Sequence, residues 1–335
     1  MSLNQEKPSF AVIGSGSWGT AIAKILTDNG FIIRWWGRNK KRVKAIKESG
    51  TNPHYLSGVK LTKSKIKPTH KITKVLSDST HIVLAVPSAF LKKAFEKADP
   101  EVLKEKHFIS GIKGIIPELG LTIIDFLKQE YHIPDSQITI VSGPTHAEEI
   151  ALRRQSYLTI ANKDVKIAES VAESFKNQYI NTSILKDVEG IEYSAIMKNI
   201  ISIAGGIAHG LKYGDNFHAV LVSNSMKEIS LFLQTVIPMD RDLNRAVYLG
   251  DLLVTAYSQF SRNRTFGGMI GKGYSVQSAL VEMTMVAEGY YASKNIYLKA
   301  KKYDLHLPIC ESVYRILYED SDPSDEYEQL KEVLE

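Results

Sequence analysis

Short apolar runs alternate with longer amphipathic stretches through the first half of the chain. The runs at 10–13, 31–36, 81–86, 107–111, 137–141, 158–161 and 179–185 have the length and near-continuous hydrophobicity of strands covered on both faces. Between them, 20–29, 42–49, 88–97, 121–131 and 165–175 read as helices, and 51–68 as a loop bearing proline and glycine. This alternation predicts an α/β fold, a Rossmann-like, doubly wound, mostly parallel sheet with helices on both faces. Ligands of such sheets bind beyond the carboxyl ends of the strands.

The pattern changes near Lys186-Asp187-Val188-Glu189. Beyond it, 194–209, 218–233, 243–259, 278–302 and 310–318 carry helical periodicity, which predicts an all-α C-terminal domain. The expected organisation is an α/β domain over 1–187 and a helical domain over 188–335. The acidic tail from 320 to 335 reads as a weak last helix or a partly ordered end.

The chain has 335 residues, 44% hydrophobic and 24% charged, enough for two globular domains. Its single cysteine, Cys310, excludes an internal disulfide framework and a Cys-based zinc cluster. With a polar start and no signal peptide, this points to a cytoplasmic protein. No stretch approaches the roughly 20 apolar residues needed to span a bilayer. The net charge of +5 suits a nucleic acid, an anionic membrane surface or small anionic substrates, but the basic residues are dispersed, densest at 40–47 and 60–74, without the aromatic-interleaved stripe of a nucleic-acid binder, which favours solvated faces.

The first apolar run ends in Gly14-x-Gly16-x-x-Gly19, with Ser17 and Trp18 between the last two glycines. Strand, glycine turn and helix present backbone N–H groups and a helix N-terminus to a pyrophosphate. Gly14 allows the tight turn, Gly16 lets the backbone approach the phosphate, and Gly19 lets helix and strand pack closely. Where an acidic residue commonly meets the ribose 2′-OH, this chain has Arg38, followed by Asn39-Lys40-Lys41-Arg42. A cation there suits a 2′-phosphate, which favours NADPH over NADH, unless Arg38 stacks on adenine without choosing.

Lys198 is the only charged residue in the apolar stretch 195–208. If buried, its pKa falls and it becomes a usable proton donor or acceptor. The alternative is a lysine whose stem lies on apolar surface while its head reaches water. Asp251 is another lone charge, in Tyr248-Leu249-Gly250-Asp251-Leu252-Leu253-Val254. It is either a helix N-cap or a buried carboxylate that needs a cation, for which Lys198 is the candidate. Ser261-Arg262-Asn263-Arg264 gathers groups that bind phosphate, or forms a basic surface turn. Gly267, Gly268, Gly271 and Gly273 then suggest a loop able to close on a ligand. Lys113 lies at a predicted strand end, within reach of an anion.

Together these segments resemble the NAD(P)-dependent glycerol-3-phosphate dehydrogenases of the bacterial, soluble type. The likeness runs from about Phe10 to Tyr318. It is carried by Gly14-Ser15-Gly16-Ser17-Trp18-Gly19-Thr20-Ala21, Asn52-Pro53-His54-Tyr55-Leu56, Ser142-Gly143-Pro144-Thr145-His146-Ala147, Met197-Lys198-Asn199, Leu249-Gly250-Asp251-Leu252, the Ser261–Arg264 block and Val286-Ala287-Glu288-Gly289-Tyr290. The resemblance implies NAD or NADP as cofactor, a small phosphate substrate held between the domains, and a homodimer. It implies Lys198 as proton donor or acceptor, and an Asp251 paired with it would orient that lysine. It further implies Lys113, Gly143, Thr145, Asp251, Ser261, Arg262 and Asn263 at the substrate. For the cofactor it implies Ser17, Trp18, Arg38, Lys113, Ala147, Arg262, Val286 and Glu288. The chain departs from the family in placing Tyr248 where a glycine is usual. The rival readings are a β-hydroxyacid or 6-phosphogluconate-type dehydrogenase and a dinucleotide sensor without turnover.

Overall fold

The computed structural model describes residues 8–258, 261–283 and 287–335. The chain divides into two compact units, Met1–Ile112 with Ile123–Val188, and Lys113–Thr122 with Glu189–Glu335.

The first unit is built on eight strands: β1 (Phe10–Ile13), β2 (Ile33–Trp36), β3 (Ile66–Thr69), β4 (His81–Leu84), β5 (His107–Ser110), β6 (Ile138–Ser142), β7 (Ser156–Ala161) and β8 (Ile180–Leu185). Their order across the sheet is β3-β2-β1-β4-β5-β6-β7-β8. Every pair is parallel except β6 with β7. All residues of β1, β5 and β6 are buried, which is why these strands read as near-continuous apolar runs. Phe10 of β1 is in register with Ile33 of β2 on one side and His81 of β4 on the other. The chain steps outward from β1 to β3, then returns to place β4 on the opposite edge of β1. That reversal is the topological switch point where such sheets bind ligands, and the glycine turn leaves β1 there.

β3 falls where the sequence predicted a loop to run on to residue 68. It is an edge strand carrying Lys67 and Pro68, and proline is tolerated in a sheet at such an edge. The segment expected as one helix over 88–97 is a 3₁₀ turn, Ser88–Phe90, followed by the short helix Leu91–Phe95.

In the second unit the long helix Val188–Gly210 is buried throughout 190–208. A helix covered on all sides needs no polar face, and this accounts for the isolation of Lys198 in its sequence. The helix Arg262–Gly271 overturns the expected glycine loop. Its glycines serve packing: a Cβ on Gly267 would lie 2.1 Å from the Ile203 carbonyl oxygen, and one on Gly271 2.3 Å from that of Ile207. Reciprocally, a Cβ on Gly206 would lie 2.2 Å from the Arg264 carbonyl oxygen. The two helices therefore touch backbone to backbone, which only glycine permits at these positions.

Of the stretch expected as one helix over 243–259, residues 243–245 form a turn, Ala246–Gly250 a π-helical turn and Asp251–Tyr257 an α-helix, and residue 259 lies outside the described residues. The segment 278–302 contributes to two helices, Val276–Glu282 and Glu288–Lys302. The acidic tail forms the helix Pro323–Val333, capped by the Asp322 carboxylate. Tyr327 anchors it, fully buried with its hydroxyl donating to the Ala204 carbonyl at 2.6 Å. No helix among the described residues is long and apolar enough to cross a membrane.

Candidate active site

In the first unit the three glycines occupy three different environments. Gly14 has φ +125°, and a Cβ there would meet the Ala85 carbonyl oxygen at 2.5 Å. Its own carbonyl accepts from Trp35 Nε1 at 2.7 Å. Gly19 presses against Gly14, with a built Cβ only 2.2 Å from the Gly14 carbonyl oxygen. Gly16 is the opposite case, since a Cβ there would meet nothing within 4 Å. Its open flank lies at the N-cap of the 12-residue helix Ser17–Asp28. Backbone N–H groups at a helix start, beside space left by an absent side chain, suit a pyrophosphate. Trp18 Nε1 is buried with no hydrogen-bond partner among the described residues, and its indole fits only because residue 111 is glycine. The residues present thus fit a dinucleotide.

The remaining predicted sites of this unit also follow strand ends. Exposed Arg38, beyond β2, lies over the Phe90 ring with its guanidinium carbon 5.0 Å from the centroid. Gly143, beyond β6, has φ +137°, and a Cβ there would strike the Tyr157 carbonyl oxygen at 2.4 Å. Thr145 Oγ1 donates to the Gly143 carbonyl at 3.3 Å, and buried Ala147 starts the short helix Ala147–Ala151.

In the second unit Lys113, Lys198 and Asp251 converge. Lys198 Nζ donates to Asp251 Oδ1 at 2.6 Å, and Lys113 Nζ to Asp251 Oδ2 at 2.9 Å. The pairing expected for Lys198 and Asp251 is therefore present, and Asp251 is not an N-cap. Asp251 is 1% exposed and Lys198 6%, so water screens neither. Burial alone would raise the Asp251 pKa, but the two ammonium groups outweigh it and hold the carboxyl below its usual range. Burial is also the largest influence on Lys198, pulling it down to about 7. Asp251 opposes that fall and the Lys113 charge reinforces it.

Thr255 and Asn199 complete the cluster. Thr255 lies one helical turn beyond Asp251 and donates its hydroxyl hydrogen to the Asp251 carbonyl at 2.7 Å. Its oxygen is then an acceptor for Lys198 Nζ, also at 2.7 Å. Among the described residues two of the three ammonium hydrogens are used in this way, which leaves the third for a ligand oxygen. Asn199, beside Lys198 in sequence, donates to the Lys113 carbonyl at 2.6 Å, so adjacent helix residues fix both lysines. Sequence reasoning gave Thr255 no notice and Asn199, though part of the Met197-Lys198-Asn199 motif, no role. The i,i+4 spacing from Asp251 was the available signal for Thr255.

Ser261 caps the helix Arg262–Gly271 by accepting from the Arg264 N–H, and its hydroxyl meets that of Ser202 at 2.6 Å. Arg262 and Asn263 therefore stand in the first turn, at the positive end of the helix dipole. Asn263 Oδ1 accepts from the Gly289 N–H at 3.0 Å, which turns its Nδ2 into the remaining donor. Glu288 is the first residue of the neighbouring helix. Val286 lies outside the described residues.

Two family descriptions match the chain: NAD-dependent glycerol-3-phosphate dehydrogenase N-terminus over residues 9–168, and the C-terminus of the same family over 187–328. The glycerol-3-phosphate dehydrogenase [NAD(P)+] of Bacillus subtilis (strain 168) is 36% identical over 310 residues, covering 92% of this chain and 89% of that protein. That of Listeria innocua is 36% identical over 322 residues, covering 96% and 95%. The crystal structure of glycerol-3-phosphate dehydrogenase from Coxiella burnetii superposes with a TM-score of 0.87 at 28% identity, covering 97% of this chain and 99% of that one. The chain belongs to the NAD-dependent glycerol-3-phosphate dehydrogenase family.

Proposed function

We propose that this protein is an NAD(P)-dependent oxidoreductase that reversibly reduces dihydroxyacetone phosphate to sn-glycerol 3-phosphate, supplying glycerophospholipid synthesis. Family membership sets the reaction class, and the observation that carries the chemistry is the carboxylate of Asp251 shared by Lys198 and Lys113. The bound nicotinamide supplies or accepts the hydride. Lys198 delivers a proton to the carbonyl oxygen as negative charge builds there, and takes one back in the reverse direction. A group held near pKa 7 serves both directions at neutral pH. Asp251 positions that ammonium, and Lys113 adds positive charge near the developing alkoxide.

Arg262, Asn263 and Ser261 hold the substrate phosphate at the start of their helix, with Gly143 and Thr145 as further substrate contacts. The turn of Gly14, Gly16, Ser17, Trp18 and Gly19 holds the dinucleotide. Arg38, Lys113, Ala147, Arg262, Val286 and Glu288 complete its contacts. Dihydroxyacetone phosphate added to protein and NADPH should lower the nicotinamide absorbance rapidly. No oxidation of either NADPH or NADH by folded protein would overturn this reading.

Arg38 has an aromatic platform and no carboxylate partner among the described residues, which leaves its charge available to a 2′-phosphate. Arg38→Ser should raise KM for NADPH about tenfold, the loss of one charge-assisted contact, while KM for NADH stays within about threefold. Equal effects on both cofactors would show that Arg38 does not read the phosphate. The chain is further proposed to act in the cytoplasm and as a homodimer, the state the family resemblance implies. Light scattering should return twice the chain mass of 37.4 kDa, and a monomeric value would reject the dimer.

A further inference from the structure

Asn52 lies in a loop that the proposed chemistry does not use, yet its side chain is completely buried. Its Nδ2 donates to the Ser15 carbonyl at 3.0 Å and to Thr20 Oγ1 at 2.8 Å. Thr20, equally buried, passes its own hydroxyl hydrogen to the Gly16 carbonyl at 2.8 Å. The hydrogens balance: the amide uses both of its own, and the hydroxyl accepts one and donates one. The loop holds Asn52 firmly in turn. Asn52 Oδ1 accepts from the His54 N–H at 3.3 Å. Tyr55, three residues on, lies under the Arg42 guanidinium at 4.9 Å.

The two carbonyls held in this way belong to the peptide planes that form the glycine turn. In a trans peptide the C=O and the N–H of the next residue point in opposite directions. Drawing the Ser15 carbonyl toward Asn52 turns the Gly16 N–H the other way. The Gly16 carbonyl is drawn toward Thr20 by both the Thr20 backbone N–H, at 2.9 Å, and the Thr20 hydroxyl, which does the same for the Ser17 N–H. Gly16 has no side chain to restrain the Ser15–Gly16 plane, and the hydrogen bond that holds that plane comes from Asn52. We propose that Asn52 is a positioning residue for the cofactor, fixing through Ser15 and Thr20 the N–H groups that receive the dinucleotide pyrophosphate. The inference rests on the reading of this turn as the pyrophosphate site.

The test is direct binding of NADPH, followed by nicotinamide fluorescence, together with steady-state kinetics. Asn52→Ala should weaken NADPH binding about tenfold, the effect of removing one buried, doubly bonded amide. At saturating NADPH its kcat, and its KM for dihydroxyacetone phosphate, should stay within about twofold of the parent, because the lysine cluster is untouched. Thr20→Val should weaken binding in the same sense, and Thr20→Ser, which keeps the hydroxyl, should restore it. The double variant Asn52→Ala/Thr20→Val should lose less than the sum of the singles, since both interrupt one relay. Parent-like binding by Asn52→Ala overturns the proposal, as does a fall in kcat with binding unchanged. If that variant does not fold, Thr20→Val against Thr20→Ser decides the matter alone. A parent protein that binds no dinucleotide would overturn the underlying reading of the turn, and this inference with it.

Discussion

Lys198→Met should reduce kcat for dihydroxyacetone phosphate by about a thousandfold, within the range for removal of a general acid, while NADPH binding changes by less than about threefold. The substitution keeps the length of the side chain and removes the nitrogen. Asp251 retains Lys113 as its cation, so the variant leaves no buried carboxylate unpaired and should remain folded. Thr255 Oγ1 loses an incoming donor but still donates to the Asp251 carbonyl. Lys198→Arg supplies the control. It keeps a positive charge beside Asp251 but cannot release a proton near neutral pH, so it should be as slow as the methionine variant. Turnover by Lys198→Met within tenfold of the parent would assign the proton transfer to another group.

Much of this site was legible because the physics at each position is local. The glycine turn announces itself through three short-range demands, on φ at Gly14, on open space at Gly16 and on helix contact at Gly19. Lys198 stood out because a lone ammonium in an apolar helix must be paired, and Asp251 answered the same argument from the other side. What stayed hidden depended on distant partners. Lys113 reads as the end of β5, but Asn199 and Asp251 draw it into the second unit. Gly267 and Gly271 read as a loop because a glycine kept for close packing looks like one kept for flexibility. Their reason lies some 60 residues upstream, at Ile203 and Ile207. The edge strand β3 gave no strand signal because its lysine and proline face demands that an edge relaxes. Asn52 sat in a recognised motif, yet its burial against Ser15 and Thr20 appears only in three dimensions.

The sharpest electrostatic test shifts the Lys198 pKa in opposite directions with two substitutions. Reduction needs Lys198 protonated, so kcat in that direction should fall as pH rises through about 7, and oxidation should rise over the same range. Asp251 holds the Lys198 pKa up and Lys113 pushes it down. Asp251→Asn removes the upward influence and leaves two ammonium groups facing a neutral amide. Lys198 should then lose its proton at lower pH, and the falling limb of the reductive profile should move to lower pH. At neutral pH the reductive kcat should drop by about a hundredfold, combining lost protonation with lost orientation. Lys113→Met removes the downward influence, so its falling limb should move to higher pH even as KM values rise with the loss of a proposed substrate contact. Profiles of kcat at saturating substrate and cofactor separate these shifts from binding. Opposite displacements would establish that one carboxylate balances two lysines to set the proton donor. Displacements in the same direction, or none, would mean that the limb reports a different group and that the cluster binds without titrating.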